Sequence, residues 1–283
     1  MSAAAIYPRL FAKMFASPLM MHAPVRATFE RELLAHIEGK RTGAMPAAQA
    51  MSEGEKQWRQ SRVFQRVGKV AIVSIEGVID KRVPAMQLDC YGGVDLADVD
   101  EALNMASDPS ISRVLLYVNS PGGSVTGTPE TAARVAALAK TKRVEAFVDV
   151  MACSAGYYIA SQARKITAAP SAILGSIGVY MAVIDATRAM EIEGIAVQMI
   201  SSGKFKGMGA PWKPLSDDER AMMQEQCDSI YAAFKSAVTS SRPKVSDATM
   251  QGQWFDGEKA DELHLVDELT NDTLDERVSR LLI

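Results

Sequence analysis

Ser154 stands in Met151-Ala152-Cys153-Ser154-Ala155-Gly156-Tyr157-Tyr158, directly behind the expected strand VEAFVDV at 144–150. At the start of a helix, a hydroxyl sits in the positive field of unpaired backbone N–H groups, a setting that helps an alkoxide or oxyanion. On its own it also reads as a plain helix cap. A second loop, Asn119-Ser120-Pro121-Gly122-Gly123-Ser124, follows the apolar run at 113–118. Loops at the C-terminal ends of parallel strands are where ligands bind. Paired glycines allow close backbone approach, and their N–H groups can be aimed at a developing oxyanion. Taken alone, the same pair is a tight turn.

The three histidines are His22, His36 and His264, none of them in the strand-rich centre. A Ser-His-Asp triad would have to recruit His264 from the far end of the chain. A serine without histidine needs another base. A lysine serves if burial lowers its pKa from about 10.4 by roughly three units, and Ser-Lys pairs are a variant of the triad logic. The candidates are Lys204 and Lys206 in Ser201-Ser202-Gly203-Lys204-Phe205-Lys206-Gly207. They flank Phe205, so in an extended segment they share one face, and spacing does not choose between them. Cys153 reads as a small buried residue, because no histidine is close enough in sequence to form a thiolate pair.

These residues need a scaffold, and the pattern predicts one. Strands are expected in the β-branched stretch from Val67, at 113–118, 144–150 and 165–168, and at 179–184 and 196–200. Helices are expected over 94–105, 128–138, 154–163 and 186–192, and from a cap at Ser216 to about 238, where Asp217, Asp218 and Glu219 suit the N-terminal end. Alternating strands and helices mean an α/β domain with a parallel sheet. Before it, apolar residues at helical spacing (Ile6, Leu10, Phe11, Met14, Phe15) and a second helix at 27–37 form an arm, followed by a small-residue linker over 39–62. Asp185 is expected to cap the helix after it, and 274–283 to form a terminal helix.

Composition excludes several classes. With 31 basic against 34 acidic residues and a net charge of −3, binding nucleic acid by bulk charge is excluded. Three cysteines, Cys90, Cys153 and Cys227, make neither a disulfide framework nor a Cys-only zinc site. No run of about 18 apolar residues marks a membrane span. Residues 1–29 lack Asp and Glu but hold Arg9, Lys13 and Arg26, which mimics a transit peptide, while Pro8 and Pro18 interrupt any signal-peptide core. No P-loop, GxSxG elbow, dinucleotide fingerprint or HExxH is present.

CSAGYYIAS, NSPGGSV, LGSIGVYM and SGKFKGMGAPW, with the tail WFDGEKADELHLVDEL, resemble peptidase family S49 over about residues 65–270. The resemblance implies a ClpP/crotonase-like α/β fold with a mainly parallel sheet. It divides the chain into a helical N-terminal arm and linker (1–64), a serine peptidase domain (65–270) and a C-terminal helix (271–283). It also implies a Ser-Lys dyad: Ser154 as nucleophile, Lys206 as general base and Ser176 orienting the lysine. The backbone N–H groups of Gly123 and Ala155 would form the oxyanion hole. Ala155 departs from the glycine of many bacterial members, but its N–H remains. No cofactor and no metal are expected.

CSAG and the SPLMM start resemble the lambda-type minor capsid protein C branch of the family. That branch implies a phage or prophage capsid-assembly protease, made in the host cytoplasm and acting in the prohead. Its expected substrates are scaffold, portal or capsid proteins, and homo-oligomeric assembly is expected, with no nucleic acid and no membrane span. The alternatives are a signal-peptide-peptidase-like protease of the bacterial cytoplasm, an inactive structural relative, and a crotonase-type acyl-CoA enzyme. The last would have no use for a Ser-Lys pair.

Overall fold

A computed structural model describes residues 19–21, 52–85, 87–88 and 92–283. The helices expected in the arm, the first part of the linker and Cys90 lie outside the described residues. From residue 53 the order is α1 (Glu53–Val63), β2 (Phe64–Val67), β3 (Val70–Glu76), β4 (Ile79–Asp80), β5 (Val94–Asp95), α2 (Leu96–Ala106), β6 (Arg113–Asn119), β7 (Gly122–Ser124), α3 (Thr128–Thr141) and β8 (Arg143–Val148). There follow β9 (Met151–Cys153), α4 (Ala155–Ala160), β10 (Lys165–Ala168), β11 (Ile173–Gly175), α5 (Thr187–Ile192), α6 (Asp217–Ser241), β12 (Trp254–Asp256), α7 (Gly257–Glu262), β13 (Glu268–Leu269) and α8 (Leu274–Leu282). Strand β1 (Leu19–Met21) comes from the arm.

The large sheet runs β13-β10-β8-β6-β3-β2, and only the β2–β3 pairing is antiparallel. Its central strands are apolar on both faces because both faces are covered. Ala71, Val73, Ile75, Val114, Leu116, Val118, Val144, Ala146 and Val148 enter the main core, shared with α2, α3 and α4. The alternate residues Val70, Ile72, Leu115 and Phe147 pack under Val278 and Leu281 of α8. Buried Arg277 fastens that helix, donating to Glu145 Oε2 and Thr167 Oγ1, each at 2.9 Å.

Two small sheets sit at the C-terminal ends of these strands: β1-β7-β4-β5 and β12-β11-β9. Helix α6 begins with a capping box between Ser216 and Glu219. It is anchored against α4 by Phe234, which stacks on Tyr158 with ring centroids 4.5 Å apart.

The structure corrects two strand expectations. Residues 179–184 and 196–200 form no strand apart from an isolated bridge at Tyr180. Val197, Met199 and Ile200 are exposed, Ile200 at 99%. These side chains carry strand propensity, but propensity without an adjacent strand to pair with does not make a sheet. The helix between them is present as α5, and Asp185 accepts from the Thr187 N–H at 3.0 Å, one residue ahead of the cap position.

Candidate active site

The chain passes from β9 to α4 in a single residue, and that residue is Ser154. Its backbone is held at φ 53°, ψ −118°, a conformation side-chain-bearing residues seldom adopt. Two hydrogen bonds hold it there: Ser154 N–H donates to Gly175 O at 2.8 Å, and Tyr158 N–H donates to Ser154 O at 2.8 Å. A strained strand-to-helix turn of this kind pushes the side chain out of both elements. Ser154 makes no side-chain cap bond, so its hydroxyl is not used to hold the helix. The residue is 1% exposed.

The glycine loop lies against it. Gly122 has φ 97°, and a Cβ added there would collide with the Met20 carbonyl oxygen and come within 2.9 Å of Ser154 Cβ and 3.0 Å of Ala155 N. A Cβ on Gly123 would overlap the Ile79 carbonyl group. Neither position has room for a side chain. Ser120 pins the loop: its Oγ donates to Gly77 O at 2.7 Å and accepts from Gly122 N–H at 3.1 Å. Its backbone bridges Ala152 of β9. The sequence drew attention to the glycine pair but gave Ser120, in the same NSPGG motif, no role.

Ser176 follows Gly175, whose carbonyl receives the Ser154 N–H. Its own φ is 51°, and its N–H donates to Gln253 O at 2.6 Å. Ser154, Ala155, the glycine pair and Ser176 therefore share one locality. Lys206 is not hydrogen-bonded to them. It stands exposed in the turns over 203–208, where its N–H donates to Gly203 O at 3.1 Å, and among the described residues its amine makes no ion pair. Lys204 is committed elsewhere, paired with Asp218 and lying 5.3 Å from the centroid of the Phe205 ring.

The neighbouring groups are structural. Burial pushes the Cys153 thiol up to about 12, which leaves no thiolate near neutrality. Tyr157 is buried, with its hydroxyl donating to Leu265 O at 2.9 Å. His264 lies in the turn after α7 with φ 63° and is not bonded to the serine. Among the described residues no cluster of His, Cys, Asp and Glu is arranged to hold a metal, and no helix is long and apolar enough to cross a membrane.

The chain is 33% identical over 251 residues to capsid assembly protease C of Escherichia phage lambda, spanning 83% of this chain and 56% of that protein. It is 34% identical over 189 residues to a putative protease of Methanocaldococcus jannaschii, spanning 66% of this chain and 59% of that one. The chain thus spans little more than half the length of these relatives. A solved enoyl-CoA hydratase/isomerase family member is similar at TM-score 0.45 and 16% identity, over 77% of this chain and 74% of that one. The model of peptidase family S49 matches residues 136–281. That span holds the strained serine, the serine after β11 and both lysines, and the chain belongs to peptidase family S49.

Proposed function

We propose that the chain is a serine endopeptidase in which Ser154 attacks a peptide carbonyl and Lys206 takes its proton. The observation that carries this is the backbone of Ser154, strained at a strand-to-helix turn with its hydroxyl unused by the fold and its Cβ against Gly122 of the glycine loop. Neutral Lys206 accepts the proton from Ser154 Oγ as the C–O bond forms. The N–H groups of Ala155 and Gly123 receive the oxyanion, and Ser176 positions the lysine. The tetrahedral intermediate collapses with proton return to the leaving amine, and water then hydrolyses the acyl-enzyme.

A lysine that is neutral near pH 7 needs cover from water, and Lys206 is exposed in the single chain. Within this reading the cover comes from a second copy of the chain. The exposed apolar strip around Met199 and Ile200, a few residues away, suits such a contact. The relation to a phage capsid protease supports a role in capsid assembly. There the chain would work in the host cytoplasm or prohead on scaffold, portal or capsid proteins.

The test is cleavage of co-expressed portal, scaffold and capsid proteins by wild type and by Ser154→Ala, Lys206→Ala and Lys204→Ala. Cleavage lost in the first two variants and kept in the third supports the reading. Cleavage that persists in Ser154→Ala overturns it. Cleavage lost only with Lys204→Ala among the lysine variants moves the base to Lys204.

A further inference from the structure

Strand β7 carries both glycines of the loop beside Ser154, and both its edges are occupied. One is taken by β4 and the other, antiparallel, by β1. Strand β9, which leads into Ser154, is likewise flanked by β11 and by the Ser120 bridge. An extended peptide that is to lie along these strands has to replace something already there. Of the flanking pieces, only β1 arrives from the distant N-terminal arm.

The register puts β1 where a peptide main chain is wanted. Leu19 faces Ser124, Met20 faces Gly123 and Met21 faces Gly122. The Met20 carbonyl oxygen, Ser154 Cβ and Ala155 N all lie within 3.0 Å of the single point where a Gly122 Cβ would stand. A carbonyl of the chain itself is therefore held beside the serine and beside a helix-start N–H. The side chains of Met20 and Met21 are buried, Met20 completely. The strand is only three residues long, so few ladder bonds hold it, and edge pairing of this kind is exchangeable with another extended segment.

We propose that Leu19–Met21 is a built-in occupant of the peptide-docking edge of β7, and that a substrate strand binds only by displacing it. The proposal rests on the peptidase reading of Ser154. It also describes the class of peptide the edge takes: an extended segment with unbranched apolar side chains at the two residues opposite Gly123 and Gly122. With Leu19–Met21 released, the edge of β7 takes substrate; with the strand docked, the edge is filled.

The test uses the full chain carrying Ser154→Ala, so that binding is read without cleavage. Leu19→Cys and Ser124→Cys, directly opposite in register, are added, and the probe is a fluorescent peptide with the sequence of residues 17–24. The crosslink is expected to form on oxidation, as read by mass. The oxidised chain is expected to bind the probe at least about tenfold more weakly than the reduced chain, because a tethered competitor can no longer leave. Met20→Asp, which disfavours docking of the arm, is expected to tighten probe binding by about tenfold or more.

Equal binding by oxidised and reduced chains overturns the proposal and makes β1 a fixed part of the scaffold. So does failure of the crosslink to form, and so does absence of probe binding in every form. If Met20→Asp does not fold, the reversible crosslink decides alone. A failure of the peptidase reading shows separately, as wild type that cleaves nothing while the crosslink still governs probe binding.

Discussion

Replacing Ser154 by glycine, which removes the hydroxyl altogether, is expected to leave the protein more stable than replacing it by alanine. At φ 53°, ψ −118° a residue with a Cβ carries strain of about 1–3 kcal/mol, whereas glycine takes such a conformation freely. Ser154→Ala keeps the Cβ and hence the strain, while Ser154→Gly removes both. At an unstrained position the order is reversed, because glycine gives the unfolded chain more freedom, worth about 0.4–1 kcal/mol. The difference leaves glycine ahead by roughly 0.5–2 kcal/mol. With about 2–4 °C per kcal/mol for a chain near this size, Tm is expected to be about 1–8 °C higher for Ser154→Gly. The assay is paired thermal melts by circular dichroism and calorimetry at matched concentration, with scan-rate checks. Neither variant can act as a serine nucleophile, so self-cleavage does not confuse the comparison. A Ser154→Ala protein more stable than Ser154→Gly would refute the idea that the turn stores strain at the nucleophile.

Further outcomes follow from the same structure. Gly122→Ala forces a Cβ against the Met20 carbonyl and Ser154 Cβ; turnover is expected to fall by about 100-fold or more, as for a displaced oxyanion donor, measured as kcat on a cleaved peptide. Arg277→Met leaves buried Glu145 with Arg143 as its remaining cationic partner, so the chain is expected to lose about 3 kcal/mol in a denaturant titration, and adding Glu145→Leu should restore most of it. The Glu268 carboxyl is held below the usual carboxylate range, first by the hydrogen bond from Lys165 and also by Arg277. Its stabilisation is therefore complete above the unfolded value of about 4.3 and is lost as pH falls through the lower folded value; Glu268→Gln is expected to flatten that part of the acid-unfolding curve. With its thiol pushed up to about 12, Cys153 is expected to resist iodoacetamide at pH 8 in the folded chain and to react once unfolded, as read by peptide mass mapping.

The sequence disclosed the central strands because β3, β6 and β8 lie between two covered faces, so most of their residues are apolar. It disclosed α6 through Ser216 and the acidic first turn, where capping chemistry is local. It misjudged 179–184 and 196–200, because β-branched residues record what a segment tolerates and not whether a partner strand is present. At the site, Ser154 was visible as a residue following an apolar strand, but its strained backbone was not, since that conformation is imposed by Gly175, Tyr158 and the packing around them. Gly122 looked like half of a turn until the carbonyl of Met20 was seen to fill the space of its missing side chain. Strand β1 gave no sign of being a strand, although its residues stand in the SPLMM stretch. Three residues show no period, and the pairing joins segments more than a hundred positions apart.

The most direct measurement of the central claim is covalent labelling of the 283-residue chain by a serine-reactive fluorophosphonate, followed by intact mass and peptide mapping. One adduct is expected per chain, on Ser154. It should be absent in Ser154→Ala and formed at least about 100-fold more slowly in Lys206→Ala, since both members of a catalytic unit are needed to activate the nucleophile. A label on another residue, or labelling of Lys206→Ala at the wild-type rate, would contradict the assignment of Ser154 and Lys206 as the working pair.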